Sequence, residues 1–338
     1  MITKKTAALS IGVLILLAVP AGVGQTCTQY VQCEWDSWDS GCNPPLPPTA
    51  YNCQTVAPYV AQCTVRTYSC PAPPECPTCN RAGAPIDLAS GNTLIAQSDI
   101  RLPGLGGGLT LARTWNSLWP PTESAYREGI FGPNWRSTFE ERVFGGSDGY
   151  VKYSRGDGSF WSFGYSGTVN SANVYAVASP ANETATLAQT TSNWTLTFKN
   201  GEQRVFDVTS GNLLSIADRN GNTIQLTYDS SYRLVSVTDP ASRHLYFSYA
   251  SPSSYLVTSV SSDVGLSLSY SYDGLGRLVK VTKPDQTTIS FQYDSNSFVS
   301  AVLDSNGKVL ESHTYDTNGR GLTSSRAGGV EAITVTYP

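Results

Sequence analysis

Cys76-Pro-Thr-Cys79 has the two-residue gap shared by zinc sites and dithiol redox centres. Farther along, Pro103-Gly-Leu-Gly-Gly-Gly-Leu109 is glycine-rich enough to wrap a phosphate, and Asp218-Arg-Asn-Gly-Asn222 looks like half a calcium loop. Glu140-Glu141 and Asp36/Asp39 are carboxylate pairs of the kind glycosidases use. His244 and His313, the chain's 2 histidines, are its candidate general bases. Tyr272-Asp273 pairs a ring that stacks on sugars with a carboxylate that accepts hydroxyl hydrogen bonds.

Each of these has a structural reading beside the chemical one. Zinc at Cys76 and Cys79 wants a second close pair or histidines, and no histidine lies between residues 27 and 79. A phosphate loop needs a following helix and usually a lysine, but the strand-like LTLARTW follows Gly108. The Asp218 segment lacks the distal bidentate acid of a calcium loop, so a turn is the better reading. No Gly-x-Ser-x-Gly motif stands near either histidine, and the carboxylate pairs read as solvated faces. Trp35, Trp38, Trp115, Trp119, Trp135, Trp161 and Trp194 would serve as sugar platforms or, in the simpler reading, as core and cross-strand packing. The residues therefore point to no catalytic group, no cofactor and no metal.

The elements that would position these groups are set by composition. Charged residues make up 14% of the chain, 22 basic against 26 acidic, a net of -4. That balance, with no long run of either sign, excludes nucleic acid and anionic membranes as main partners. Lys4 and Lys5 precede an apolar run from Ala7 to Val19 that ends in Pro20 and small residues, the layout of a cleaved signal peptide over 1–25. After it no segment is apolar enough to span a membrane. All 8 cysteines (Cys27, Cys33, Cys42, Cys53, Cys63, Cys70, Cys76 and Cys79) fall in a proline-rich stretch, 26–80, which reads as a disulfide-held module of undetermined pairing.

Past Asn80 the chain alternates apolar and polar residues, as in Asn222–Tyr228 and Leu278–Thr282, between Asn-Gly and Asp-Gly turns. This pattern predicts antiparallel β-hairpins. An aromatic residue, usually followed by aspartate, recurs at Phe206-Asp207, Tyr228-Asp229, Tyr249, Tyr272-Asp273, Tyr293-Asp294 and Tyr315-Asp316, in steps of 22, 21, 23, 21 and 22. The next step reaches Tyr337. An apolar residue follows each aromatic by six or seven places: Leu213, Leu234, Leu256, Leu278, Val299 and Leu322. A constant period marks a repeat architecture. It also favours a structural role for Tyr and Asp, with Asp bonding to turn amides, because one ligand site needs no six copies.

SYDGLGRLVKVTKPDQTTISFQYD, with Tyr272, Asp273, Gly276, Arg277 and Leu278, resembles the YD repeat of Rhs-type and teneurin-type proteins. Upstream, GAPIDLASGNTLIAQSDIRLPGLGGGLTLARTWNS and FGPNWRSTFEERV resemble the domain of unknown function that often precedes such repeats. The residues carrying that likeness are Pro85, Asp87, Gly91, Asp99, Pro103, Arg113, Asn116, Gly132 and Trp135. The resemblance implies an all-β fold of antiparallel hairpin repeats in a winding sheet, divided into a β domain at 81–200 and a repeat region at 201–338. It implies a secreted or cell-surface, non-enzymatic scaffold, the N-terminal part of a larger shell-forming or toxin-delivery protein. The alternative is an adhesion or carbohydrate-binding module. Further repeats or a partner chain at an open C-terminal sheet edge, and glycans, are the partners this reading allows.

Overall fold

The computed structural model describes residues 27–34, 50–57, 60–67, 81–82, 86–119, 128–326 and 329–337, with the segments before residue 86 as backbone only. The leader and the cysteine side chains, with their expected cross-links, lie outside the described residues. Two compact units divide the chain, Met1–Cys70 and Pro71–Tyr337. In the first, Cys27–Glu34, Ala50–Ala57 and Val60–Thr67 form an antiparallel sheet with the last strand in the middle. Among the described residues there is no helix long and apolar enough to cross a membrane.

The second unit is built on a 19-stranded antiparallel meander from Arg142–Gly145 to Val330–Thr334, each strand pairing with the next in the chain. It runs unbroken through residues 200 and 201. Thr223–Tyr228 shows the expected alternation, with Ile224 and Leu226 buried and Gln225 and Thr227 exposed. The first strand meets the meander again farther on, where Val143 N–H donates to the Gly211 carbonyl at 3.0 Å. The sheet thus curls back on itself within its first eight strands, around Tyr153, Trp161, Phe163, Leu196 and Phe206.

The strands after each repeat aromatic depart from simple alternation. Leu278–Thr282 buries Leu278 and Val281, three apart, because Tyr272 faces Leu278 while Ser271 faces Lys280, leaving Val279 as a β-bulge. The same shift recurs opposite Phe206, Tyr228, Tyr249, Tyr293 and Tyr315. The apolar signature is therefore spaced i, i+3 rather than i, i+2. In two repeats the inward residue is Val257 or Gly321, one place from the expected Leu256 and Leu322. A bulge bends its strand and increases local twist, so one per repeat bends the meander at regular intervals.

A separate three-stranded sheet, Leu94–Leu102, Leu109–Asn116 and Trp135–Ser137, shares the meander's hydrophobic core. Trp115 packs edge-on against Tyr315 with ring centres 6.1 Å apart, Trp135 against Phe291 at 5.1 Å, and Phe131 tilts onto Tyr270 at 4.8 Å. Asp99 is the extra residue of a bulge, and its carboxylate meets the buried Arg113 guanidinium, Nη2 to Oδ1 2.9 Å. The Tyr270 hydroxyl donates to the same carboxylate at 2.8 Å. The glycine-rich segment at Leu105–Gly107 makes one 3-10 turn and leads into a strand, as expected. It docks on a repeat turn, where Arg243 donates to the Pro103 carbonyl at 2.9 Å.

Candidate functional site

The residues that recur at constant period form a ladder between repeats. Each tyrosine hydroxyl donates to a main-chain carbonyl 15 or 16 residues upstream, on the strand that follows the preceding aromatic: Tyr228 to Leu213, Tyr249 to Leu234, Tyr272 to Val257, Tyr293 to Leu278, Tyr315 to Val299 and Tyr337 to Gly321, all at 2.7–2.8 Å. The acceptor opens the bulged strand in every case, so the bulge and the tyrosine act together. Burial raises the hydroxyl pKa values, that of Tyr293 to about 12. Phe206 starts the series with no hydroxyl and lies fully buried.

Each aspartate closes its own turn. Asp273 Oδ1 accepts the Leu275 and Arg277 amides at 3.0 Å, and Oδ2 accepts Arg277 Nε at 2.7 Å. Asp229 and Asp316 repeat this circuit with Arg233 and Arg320, whereas Asp294 bonds only amides. Asp207 instead binds Thr209 and Ser210, the same pattern Asp87 makes with Ala89 and Ser90. Hydrogen bonds to the ionised form offset partial burial and hold Asp273 and Asp316 below the usual carboxylate range. The arginines then reach forward: Arg233 lies over Tyr249 at 4.7 Å, Arg277 over Tyr293 at 4.6 Å and Arg320 over Tyr337 at 4.3 Å. The turns closed by Asp229, Asp273, Asp294 and Asp316 are five-residue loops whose fourth position is left-handed, whereas the Asp87 and Asp207 loops run to six residues with Gly91 and Gly211 left-handed at the fifth. In Asp273–Arg277 the left-handed position is Gly276, at φ +74°, and not Gly274 of the Asp-Gly pair.

The remaining candidates fall elsewhere. Asp218 spends its carboxylate on Asn220 and Asn222, closing a turn. His244 Nδ1 lies 3.0 Å from Asp263 Oδ2, and its ring stacks on exposed Tyr246. His313 is buried, with Nε2 3.5 Å from Glu311 and neither ring nitrogen hydrogen-bonded among the described residues. No histidine–hydroxyl pair forms within the described residues. Trp115, Trp135, Trp161 and Trp194 are buried, so they offer no face to a sugar, while Trp35 and Trp38 lie outside the described residues.

Glu140 and Glu141 contradict their expected solvation. Glu141 Oε2 accepts Tyr153 Oη at 2.6 Å and Arg204 Nε at 3.2 Å, while Glu140 Oε1 accepts the Ile130 amide at 2.7 Å. Burial raises both carboxyl pKa values, opposed by Arg136 for Glu140 and Arg204 for Glu141. Both carboxyls line a cavity of about 510 Å³ between the 128–142 segment and the Tyr228–Leu234 turn. The flanking Phe139, fully buried, was the one sequence signal that these acids face inward.

Two family models match the chain: a domain of unknown function, DUF6531, over residues 83–163, and the RHS Repeat over residues 207–244, 256–288 and 272–309. No curated protein matches it. Among solved structures, the crystal structure of TcdB2-TccC3-Cdc42 aligns over 69% of the chain at 12% identity and TM-score 0.29. That of TcdB2-TccC3-TEV aligns over 72% at 14% identity and TM-score 0.30. The Photorhabdus luminescens Tc holotoxin pore aligns over 69% at 12% identity and TM-score 0.28. The chain spans 14% of the length of each. With the period, the turn circuit and both family models in agreement, the chain carries Rhs repeats with a DUF6531 domain ahead of them.

Proposed function

We propose that the protein is an exported, non-enzymatic scaffold, a wall segment of a larger Rhs-type shell of the kind that delivers toxins. The observation that carries this reading is the ladder: the tyrosines hold one repeat to the one before, the arginines reach over the next tyrosine, and the aspartates are spent closing the turns between strands. Strand Val330–Thr334 has one sheet neighbour among the described residues, so its other edge is free to take a further strand. The apolar N-terminal segment and the cysteine-rich stretch support a location outside the cytoplasm.

The test is assembly. The full chain, mixed with a separately produced polypeptide of further Rhs repeats, is expected to form a stable complex in size-exclusion light scattering. A chain that stays monomeric in that mixture would overturn the wall-segment reading. Turnover of an ester, peptide or glycoside that disappears in a His244→Ala, His313→Ala double variant would overturn the non-enzymatic one.

A further inference from the structure

The cavity beside Glu140 has features the ladder does not need. Glu140 Oε2 is buried and has no hydrogen-bond partner among the described residues, although the other oxygen is held by the Ile130 amide. An unpaired buried carboxylate oxygen is costly and calls for a donor. The three arginines on the cavity wall leave Oε2 without a hydrogen bond, although the Arg136 charge acts on the Glu140 carboxyl. Arg233 binds Asp229 and the carbonyls of Ser251 and Ser254, Arg142 binds the Ser210 carbonyl, and Arg136 binds the Trp135 carbonyl and lies over the Trp119 ring.

The rim carries a second feature. Tyr232 occupies the left-handed fourth position of its turn, at φ +59°, which other turns fill with Gly276 and Gly319 or with Ser242, Gln286 and Ser297, so that it is the aromatic residue among them. A bulky residue there strains the backbone, and such strain is kept where a side chain is needed. The Tyr232 ring is 60% exposed, and that of Tyr255, also on the cavity wall, is 64% exposed. The site therefore combines an unpaired carboxylate oxygen inside with two solvent-facing aromatic rings, the pairing that recognises an organic cation.

We infer that this cavity is a binding site for an alkylammonium or guanidinium group, held by the Glu140 carboxylate and the rings of Tyr232 and Tyr255. The cation would come from a free amine or from a lysine or arginine side chain of a bound polypeptide. Glu140 supplies the negative charge and accepts the cation's N–H, and the tyrosine faces exclude water from the cation's apolar stem.

Calorimetric titration of the full chain tests this with cadaverine, agmatine and the neutral pentane-1,5-diol. Saturable binding of either cation, with the diol at least tenfold weaker, is expected. Glu140→Gln should weaken the cation about tenfold or more. Tyr232→Gly separates binding from folding: it removes left-handed strain, so thermal stability should hold or rise while affinity falls about threefold or more. No saturable binding up to about 10 mM, equal binding of the diol, or unchanged affinity in folded Glu140→Gln each overturns the proposal. With cation binding in hand, lysine- and arginine-containing peptides distinguish the sources. Tighter binding than the free amines identifies a polypeptide ligand, and weaker binding a small amine, both within the proposal.

Discussion

Removing a single oxygen from the ladder gives a sharp test of its energetics. Tyr272→Phe keeps the ring and deletes the hydroxyl that donates to the Val257 carbonyl at 2.7 Å. A neutral hydrogen bond contributes about 1 kcal/mol net, and stranding a buried carbonyl adds to that, so the expected loss is about 1–2 kcal/mol. The matched control is Tyr246→Phe, which deletes a hydroxyl from a ring 43% exposed on the polar face of the same sheet and should cost less than about 0.5 kcal/mol. Urea unfolding followed by tryptophan fluorescence reads the difference. With a slope of about 3 kcal/mol/M, the Tyr272→Phe midpoint falls by roughly 0.3–0.7 M. If the two variants unfold at the same urea concentration, the hydroxyls do not bind the repeats together and the ladder is only a packing pattern.

Further outcomes follow from the same geometry. Asp99→Asn leaves the buried Arg113 without its counter-charge and should cost about 3–5 kcal/mol, measured by the same unfolding curve. Gly132→Ala places a Cβ 2.6 Å from the Gly276 carbonyl oxygen at φ +95° and should lower stability by about 2 kcal/mol or more. Gly276→Ala meets nothing closer than 3.6 Å, so it should cost only the left-handed strain of about 1 kcal/mol. Burial raises the pKa values of Tyr153, Tyr228, Tyr249, Tyr270, Tyr272, Tyr293 and Tyr315, so the folded chain keeps protons that the unfolded chain sheds from about pH 10. That stabilisation is complete below about pH 10 and is lost as pH rises toward the folded values. Tyrosinate absorbance from these rings should therefore appear together with loss of β circular dichroism, and its full appearance in a chain with native dichroism would contradict their burial.

Much of the architecture was legible because it is local and repeated. Tyr228, Tyr272 and Tyr315 announce their period without any tertiary information, and Asp273 to Arg277 form a turn from five consecutive residues. The bulge was harder to read: LVKVT satisfies simple alternation by eye, and only the recurrence of Leu278/Val281, Leu234/Val237 and Val299/Val302 at three-residue spacing betrays the extra residue. Contacts across long separations left little signal, Phe139 beside Glu140 and Glu141 being the exception. Nothing near Pro103 indicates that Arg243 closes over its carbonyl, and FEERV reads as a charged surface until Ile130 and Tyr153 are brought against Glu140 and Glu141. The candidate cavity depends on such contacts, so Glu140 read as solvated and Tyr232 was not singled out.

The backward reach of each tyrosine hydroxyl has a consequence for how the chain is made. Every acceptor carbonyl lies upstream of its donor, at Leu213 for Tyr228 and so on to Gly321 for Tyr337. A ribosome therefore delivers the acceptor before the group that needs it, and each new repeat can lock onto a neighbour already in place. Assembly has a direction built into the covalent order, like courses of brick laid on set mortar. Loss of a late repeat leaves the earlier locks intact, whereas an early break deprives the next repeat of its footing.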